Sequence, residues 1–189
     1  MPRGSGPDGE RLGPRARGCH TAMGDTRTRI RRHVETRPGV HHSRLGRDLD
    51  LASGQLQYHL RWLRDEGTVV REAVGGKTHY YPPGIDPWER RALAFLRRET
   101  PRGIIVRLYA DGPTRPGDLA ADLDLARSTV AWHVSNLADH DVVAKSDDSP
   151  MTVSLRRPER TTVLLEAVEP SLPDRLVDRF LRTVDTFLE

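Results

Sequence analysis

The sequence predicts a mainly α-helical chain with small two-stranded β-hairpins, laid out as two tandem copies of one unit followed by further helices. Two observations carry this. The phrase LASGQLQYHLRWL (51–63) returns as LARSTVAWHVSNL (125–137), and the same offset of 74 residues holds on the flanks. Between Leu45–Arg71 and Leu119–Lys145 the residues are identical at 10 of 27 positions, among them Leu45/Leu119, Asp50/Asp124, His59/His133 and Leu63/Leu137. Upstream the offset pairs Ile30 with Ile104 and Val34 with Leu108, so the copied unit opens with another amphipathic segment. A period this long marks a duplicated domain rather than a solenoid, whose repeats are shorter.

Within the first copy, Ile30 and Val34 stand four apart on a helix over 25–35 that is closed by Pro38-Gly39. A second helix runs over 43–49. After the turn at DLDLAS, a third occupies 53–66, with Leu56, Leu60 and Leu63 at the i, i+4, i+7 spacing of a core-facing stripe. Past Gly67, TVVREAVGGKTHYY gives two extended pieces joined at Gly75-Gly76, a hairpin signal. Helix, helix, turn, helix and hairpin, in that order, make a winged helix-turn-helix.

Asp86-Pro87-Trp88-Glu89 starts a connecting helix with a capping Asp, Pro at the first helical position and Glu three after the cap. It is expected to run to about Glu99 and to stop at Thr100-Pro101. The second copy repeats the order, with helices near 103–109 and 116–123, the repeated phrase, and the hairpin VVAKSDDSPMTVSLRR. Two helical segments follow, 159–169 and, capped by Ser171 and Asp174, 174–188. The expected domains are therefore a tail over 1–23, a first winged unit over 24–84, the connecting helix with a second winged unit over 85–158, and a C-terminal helical segment over 159–189.

Residues 1–23 hold five Gly and three Pro with almost no apolar periodicity and no signal-like apolar run, which reads as a disordered tail with Met23 as a candidate alternative start. The single cysteine, Cys19, lies there, so neither a disulfide framework nor a thiolate metal cluster is expected. With no apolar run long enough to span a bilayer, the expectation is a cytoplasmic protein away from membranes. By region the net charge is +2 over 1–23, +3 over 24–86, +1 over 87–160 and −3 over 161–189. Such modest values do not by themselves mark a nucleic-acid binder; the placement of the charges decides.

On the first-copy helix the residues left off the core stripe are Gln55, Gln57, Tyr58 and Arg61, after Ser53 at its start. An α-helix fits the major groove, where Gln pairs with adenine, Arg with guanine, and an aromatic or methyl group touches thymine. Arg71, Lys77 and His79 surround the Gly-Gly tip and suit the phosphate backbone. The second copy offers Arg127, Thr129 and Trp132, with Ala131 and Ser135 on the same face, but its hairpin tip carries Asp147 and Asp148, which repel phosphates. His59 and His133 are expected as satisfied, partly buried core histidines rather than ligands. The side chains of the adjacent pair His41-His42 diverge and lack a third partner, so no metal is expected, and no phosphate loop or nucleophile motif suggests a cofactor or an enzyme.

The pattern RPGVHHSRLGRDLDLASGQLQYHLRWLRDEG with the hairpin ending in HYYP resembles the ArsR/MarR-like winged helices. The two-copy layout is similar to tandem winged-helix transcription regulators common in archaea, over roughly residues 26–158. The resemblance implies a non-enzymatic, sequence-specific transcription regulator that binds double-stranded DNA, with the helix 53–65 as reader. ArsR metal sensors use a helical cysteine pair that this chain lacks, so thiolate sensing does not carry over, and the sequence names no small-molecule effector. The stripe Leu176, Phe180, Leu181, Val184, Phe187 and Leu188 is expected to form a homodimer, as terminal helices of such regulators often do. The alternative, from a different class, is a tandem winged-helix scaffold for protein partners in chromosome organisation or basal transcription.

Overall fold

The computed structural model describes residues 16–168, with side chains from residue 24 onward. The expected tail residues 1–15 and the C-terminal stripe from Leu176 to Leu188, with its caps, lie outside the described residues. The first helix, α1 (Ala16–Thr36), begins earlier than the periodicity predicts, so its backbone takes in part of the segment read as tail.

After α1 come a short strand β1 (Val40–His41), α2 (His42–Leu49), α3 (Ser53–Asp65) and the hairpin β2 (Val70–Val74) and β3 (Lys77–Tyr81). The wing is larger than a two-stranded hairpin. β1 pairs antiparallel with β3, Val40 opposite Tyr80, giving a three-stranded sheet ordered β1-β3-β2. Gly39 makes this join possible. Its φ is +80°, its N–H donates to the Tyr80 carbonyl at 2.9 Å, and a Cβ there would press on Leu93 at 3.2 Å.

The connecting helix α4 (Pro87–Leu96) starts as predicted, with the Asp86 carboxylate accepting from Trp88 N at 2.9 Å and from Glu89 N at 3.4 Å. It ends at Leu96, and α5 (Glu99–Asp111) begins before the expected stop rather than after it. Thr100-Pro101 thus falls in the first turn of α5, where the proline's missing N–H has no intrahelical partner to lose. Then follow α6 (Pro116–Asp122), α7 (Arg127–Asp139), the pair β4 (Val143–Lys145) and β5 (Val153–Leu155), and α8 (Pro158–Val168). The fold is mainly helical with small antiparallel sheets.

Two apolar cores form, and the residue offset maps much of one onto the other. Ile30, Val34, Leu45, Leu56, Leu60, Leu63 and Val69 are buried in the first; Ile104, Leu108, Leu119, Val130, Val134, Leu137 and Val143 are buried in the second. The turns repeat as well. Asp50 and Asp124 both adopt left-handed backbone (φ 53° and 51°), and the next amides donate to Gly46 and Ala120 carbonyls at 2.9 Å. Aspartate tolerates that conformation better than most residues, which accounts for Asp at both positions.

Helix α4 touches both halves. On one side the Tyr81 hydroxyl donates to the Arg90 carbonyl at 2.8 Å, and Arg90 pairs with Glu72 of β2. On the other, the buried Trp88 Nε1 donates to the Asp141 carbonyl at 2.8 Å, and Arg91 Nε donates to the His140 carbonyl at 3.3 Å.

Candidate nucleic-acid interface

Helix α3 buries Leu56, His59, Leu60 and Leu63 and turns its other face outward. The first core fixes that orientation, since rotating the helix would expose three leucines at roughly 1.5–3 kcal/mol each. Ser53, Gln55, Gln57, Tyr58 and Arg61 are all exposed, Tyr58 at 54%.

Beside this face the sheet presents its own cations. Gln57 and Arg61 of α3, Arg71 of β2 and Lys77 of β3 line one groove of about 600 Å³, together with Ser43 at the start of α2. Arg71 Nη2 donates to Thr78 Oγ1 at 3.5 Å across the hairpin. At the floor, Tyr80 OH lies 3.2 Å from His42 Nδ1, which ties α2 to the sheet. Arg64 joins the basic lining too, beside the carboxylate of Asp65, and is not among the residues singled out from the sequence. The signal was present: 57, 61 and 64 follow the i, i+4, i+7 stripe next to the core stripe. Ser53, Gln55 and Tyr58 lie on the exposed helix surface outside this groove.

His79 departs from its expected role. The sequence places it on the wing as a contact for the phosphate backbone, but it is fully buried, with Nδ1 donating to the Gly39 carbonyl at 2.8 Å. Burial, offset in part by that hydrogen bond, pushes its pKa down to about 4. A neutral imidazole inside the protein cannot meet DNA. The Gly75-Gly76 tip is also not a free end, because Gly75 lies against Phe95 and Arg98 of the α4 end.

In α7, Arg127 is exposed, Thr129 half-buried and Trp132 exposed at 53%; none of them borders the α3 groove. Asp147 and Asp148 are exposed at the β4–β5 tip. His59 is buried, but its Nδ1 finds no hydrogen-bond partner among the described residues, so it is not the satisfied histidine expected; His133 shares that feature. The two rings sit edge-on to the preceding aromatics, Tyr58–His59 at 5.2 Å and Trp132–His133 at 4.7 Å. Among the described residues no group of three or more His, Cys, Asp or Glu could hold a metal ion, and no helix is long and apolar enough to cross a membrane.

A helix with an exposed polar face over a packed pair of helices, with a basic hairpin beside it, defines a winged helix-turn-helix module. The family model for the HVO_0163 N-terminal HTH domain matches residues 24–93, so this segment is similar to helix-turn-helix domains of that type. Over 126 residues, 67% of its length, the chain is 27% identical to the uncharacterized HTH-type transcriptional regulator MJ1398 of Methanocaldococcus jannaschii. It spans 32% of the length of that relative. Among solved structures it overlaps the transcriptional regulator Tm0710 of Thermotoga maritima (22% identity, 53% of this chain and 80% of that one, TM-score 0.36). It also overlaps a MarR family protein of Bacillus stearothermophilus (17% identity, 71% and 94%, TM-score 0.36). The likeness in sequence is to helix-turn-helix transcription regulators.

Proposed function

We propose that the chain is a sequence-specific DNA-binding transcription regulator made of two tandem winged helix-turn-helix domains, of which the first reads DNA. The observation that carries this is the convergence of Gln57, Arg61, Arg64, Arg71 and Lys77 on one groove. In this reading α3 enters the major groove with Gln57, Arg61 and Tyr58 toward base edges, while Arg71 and Lys77 hold the phosphates. The matched cores and turns support the tandem reading. The second domain, with its acidic hairpin tip, packs on the first through α4 and leaves DNA to it. Dimerisation through residues 171–189 is part of the same reading and rests on the sequence stripe; it would set two α3 helices on a palindromic site.

The scaffold alternative draws on the exposed aromatics Tyr109 and Trp132 of the second half, which suit a protein partner. Capture of fragmented genomic DNA by the purified chain decides between the two. A recurrent motif that Arg61→Ala abolishes supports the regulator. Capture with no enriched sequence, or enrichment that survives Arg61→Ala, overturns it.

A further inference from the structure

A second cavity, of about 760 Å³, opens between the end of α1 with β1 and α2 on one side, and the α4–α5 junction with α7 on the other. Among the described residues, seven lysine and arginine side chains line it, against one carboxylate, Glu99. Two of the arginines are compensated, since Asp48 engages Arg37 at 3.4 Å and Arg44 at 2.7 Å. Arg47, Lys77, Arg97 and Arg98 have no carboxylate partner among the described residues.

Their placement is built rather than incidental. Arg97 Nε donates to the Pro38 carbonyl at 3.2 Å, and Arg98 Nη1 donates to the Gly75 carbonyl at 3.4 Å, so both guanidiniums are held half-buried at the junction. Burial, reinforced by Arg37 and Arg102, pushes the Arg97 guanidinium below its ordinary value, and burial does the same to Arg98. Gathering cations partly out of water is unfavourable until an anion balances them.

Fully buried His79 forms part of the cavity wall, its Nδ1 donating to the Gly39 carbonyl. His133, from α7, lines the cavity too. The volume falls in the usual range for small-ligand sites.

We propose that this cavity binds a small polyanion, bearing phosphate or several carboxylates, through Arg47, Lys77, Arg97 and Arg98, and that its binding weakens the grip on DNA. Lys77 and His41 border both this cavity and the α3 groove. A ligand that draws Lys77 inward removes a cation from the phosphate-facing side of the wing. The coupling rests on the DNA-binding reading; occupancy of the cavity does not.

Titration calorimetry on the full chain with citrate, ADP and inorganic phosphate tests occupancy. Citrate or ADP is expected to bind one per chain with Kd below about 1 mM. Arg97→Gln and the surface change Arg47→Gln should each weaken it at least tenfold. Which of the two binds tells carboxylate from phosphate chemistry. Should Arg97→Gln fail to fold, as denaturant titration would show, Arg47→Gln decides alone. No binding by citrate or ADP, or binding indifferent to Arg47→Gln in a folded protein, overturns the site. The coupling is read on the captured DNA, where saturating ligand should raise Kd at least fivefold; unchanged DNA affinity overturns the coupling. Anion binding in a chain that captures no specific DNA would sink the regulator reading and leave the site standing.

Discussion

Arg98 donates to the carbonyl of Gly75 at 3.4 Å and so fastens the tip of the wing to the end of the connecting helix. The glycine is required twice over. Its φ is +54°, and a Cβ there would meet Arg98 Nη1 at 2.7 Å and Phe95 Cε1 at 3.3 Å. Its neighbour Gly76 has φ +74° but nothing within 4 Å of a Cβ. Gly76→Ala should therefore cost about 1 kcal/mol, the backbone term alone, and Gly75→Ala roughly 1 kcal/mol more. Urea denaturation of the two variants measures the difference; equal losses would mean that the tip is not pinned.

The groove residues divide by the kind of contact each can make. Arg61→Ala and Tyr58→Ala are expected to weaken specific binding by roughly 1–3 kcal/mol each. Arg71→Ala and Lys77→Ala should weaken binding to all sequences and lower the salt slope by about one each. Ser135→Ala and Trp132→Ala should change little. Affinities over a salt series check this, and a larger loss from the α7 pair would reassign the reader.

Stability should fall on acidification because of His79. Its pKa lies near 6.5 in the unfolded chain and is pushed to about 4 in the fold. The folded state therefore refuses a proton that the unfolded state takes up, and the stabilisation present above pH 6.5 is lost as pH falls toward 4. Burial lowers the pKa of His33, His41, His59 and His133 as well, which adds in the same direction. The His79 share is roughly 3 kcal/mol. His79→Asn, which keeps a donor for the Gly39 carbonyl, should flatten the slope of unfolding free energy between pH 7 and 4.5; an unchanged slope would assign the effect elsewhere.

Trp88→Phe removes the indole N–H that reaches the Asp141 carbonyl and leaves part of a buried site empty. A loss of about 2 kcal/mol is expected, seen as a lower Tm, with no change in DNA affinity beyond what destabilisation explains.

Phe180→Asp combined with Leu181→Asp should give a monomer with sharply reduced operator affinity if the C-terminal stripe joins two copies. Light scattering at micromolar concentration decides it. A monomeric wild type, or a dimeric double mutant, rules the stripe out as the dimer element.

The repeat makes the order of helices and hairpins in each half legible in the sequence. Ile30 and Ile104, or Leu60 and Val134, are buried as pairs because the same spacing must fill the same core. What the pattern missed depends on contacts between distant segments. In β3, His79, Tyr80 and Tyr81 are all buried, against the alternation that a half-exposed strand would show. Both faces of that strand are covered: Tyr80 joins the first core, while Tyr81 reaches α4. The phosphate role assigned to His79 failed for this reason. Pro101 looks like a terminator in the sequence because the start of α5 lies so close to the end of α4 that local signals do not separate them. The basic cavity was illegible because Arg47, Lys77 and Arg97 come from three separate elements.

The two faces of α4 set a phase relation between the halves of the molecule. Arg90 and Phe95 are committed to the wing and its tip; Trp88 and Arg91 are committed to the turn before β4. One residue inserted between Arg91 and Phe95 would turn Phe95 about 100° away from its place relative to Trp88 and Arg91. The connector therefore behaves as a keyed shaft rather than a tether: its length can drift only in whole helical turns if both sets of contacts are to be kept.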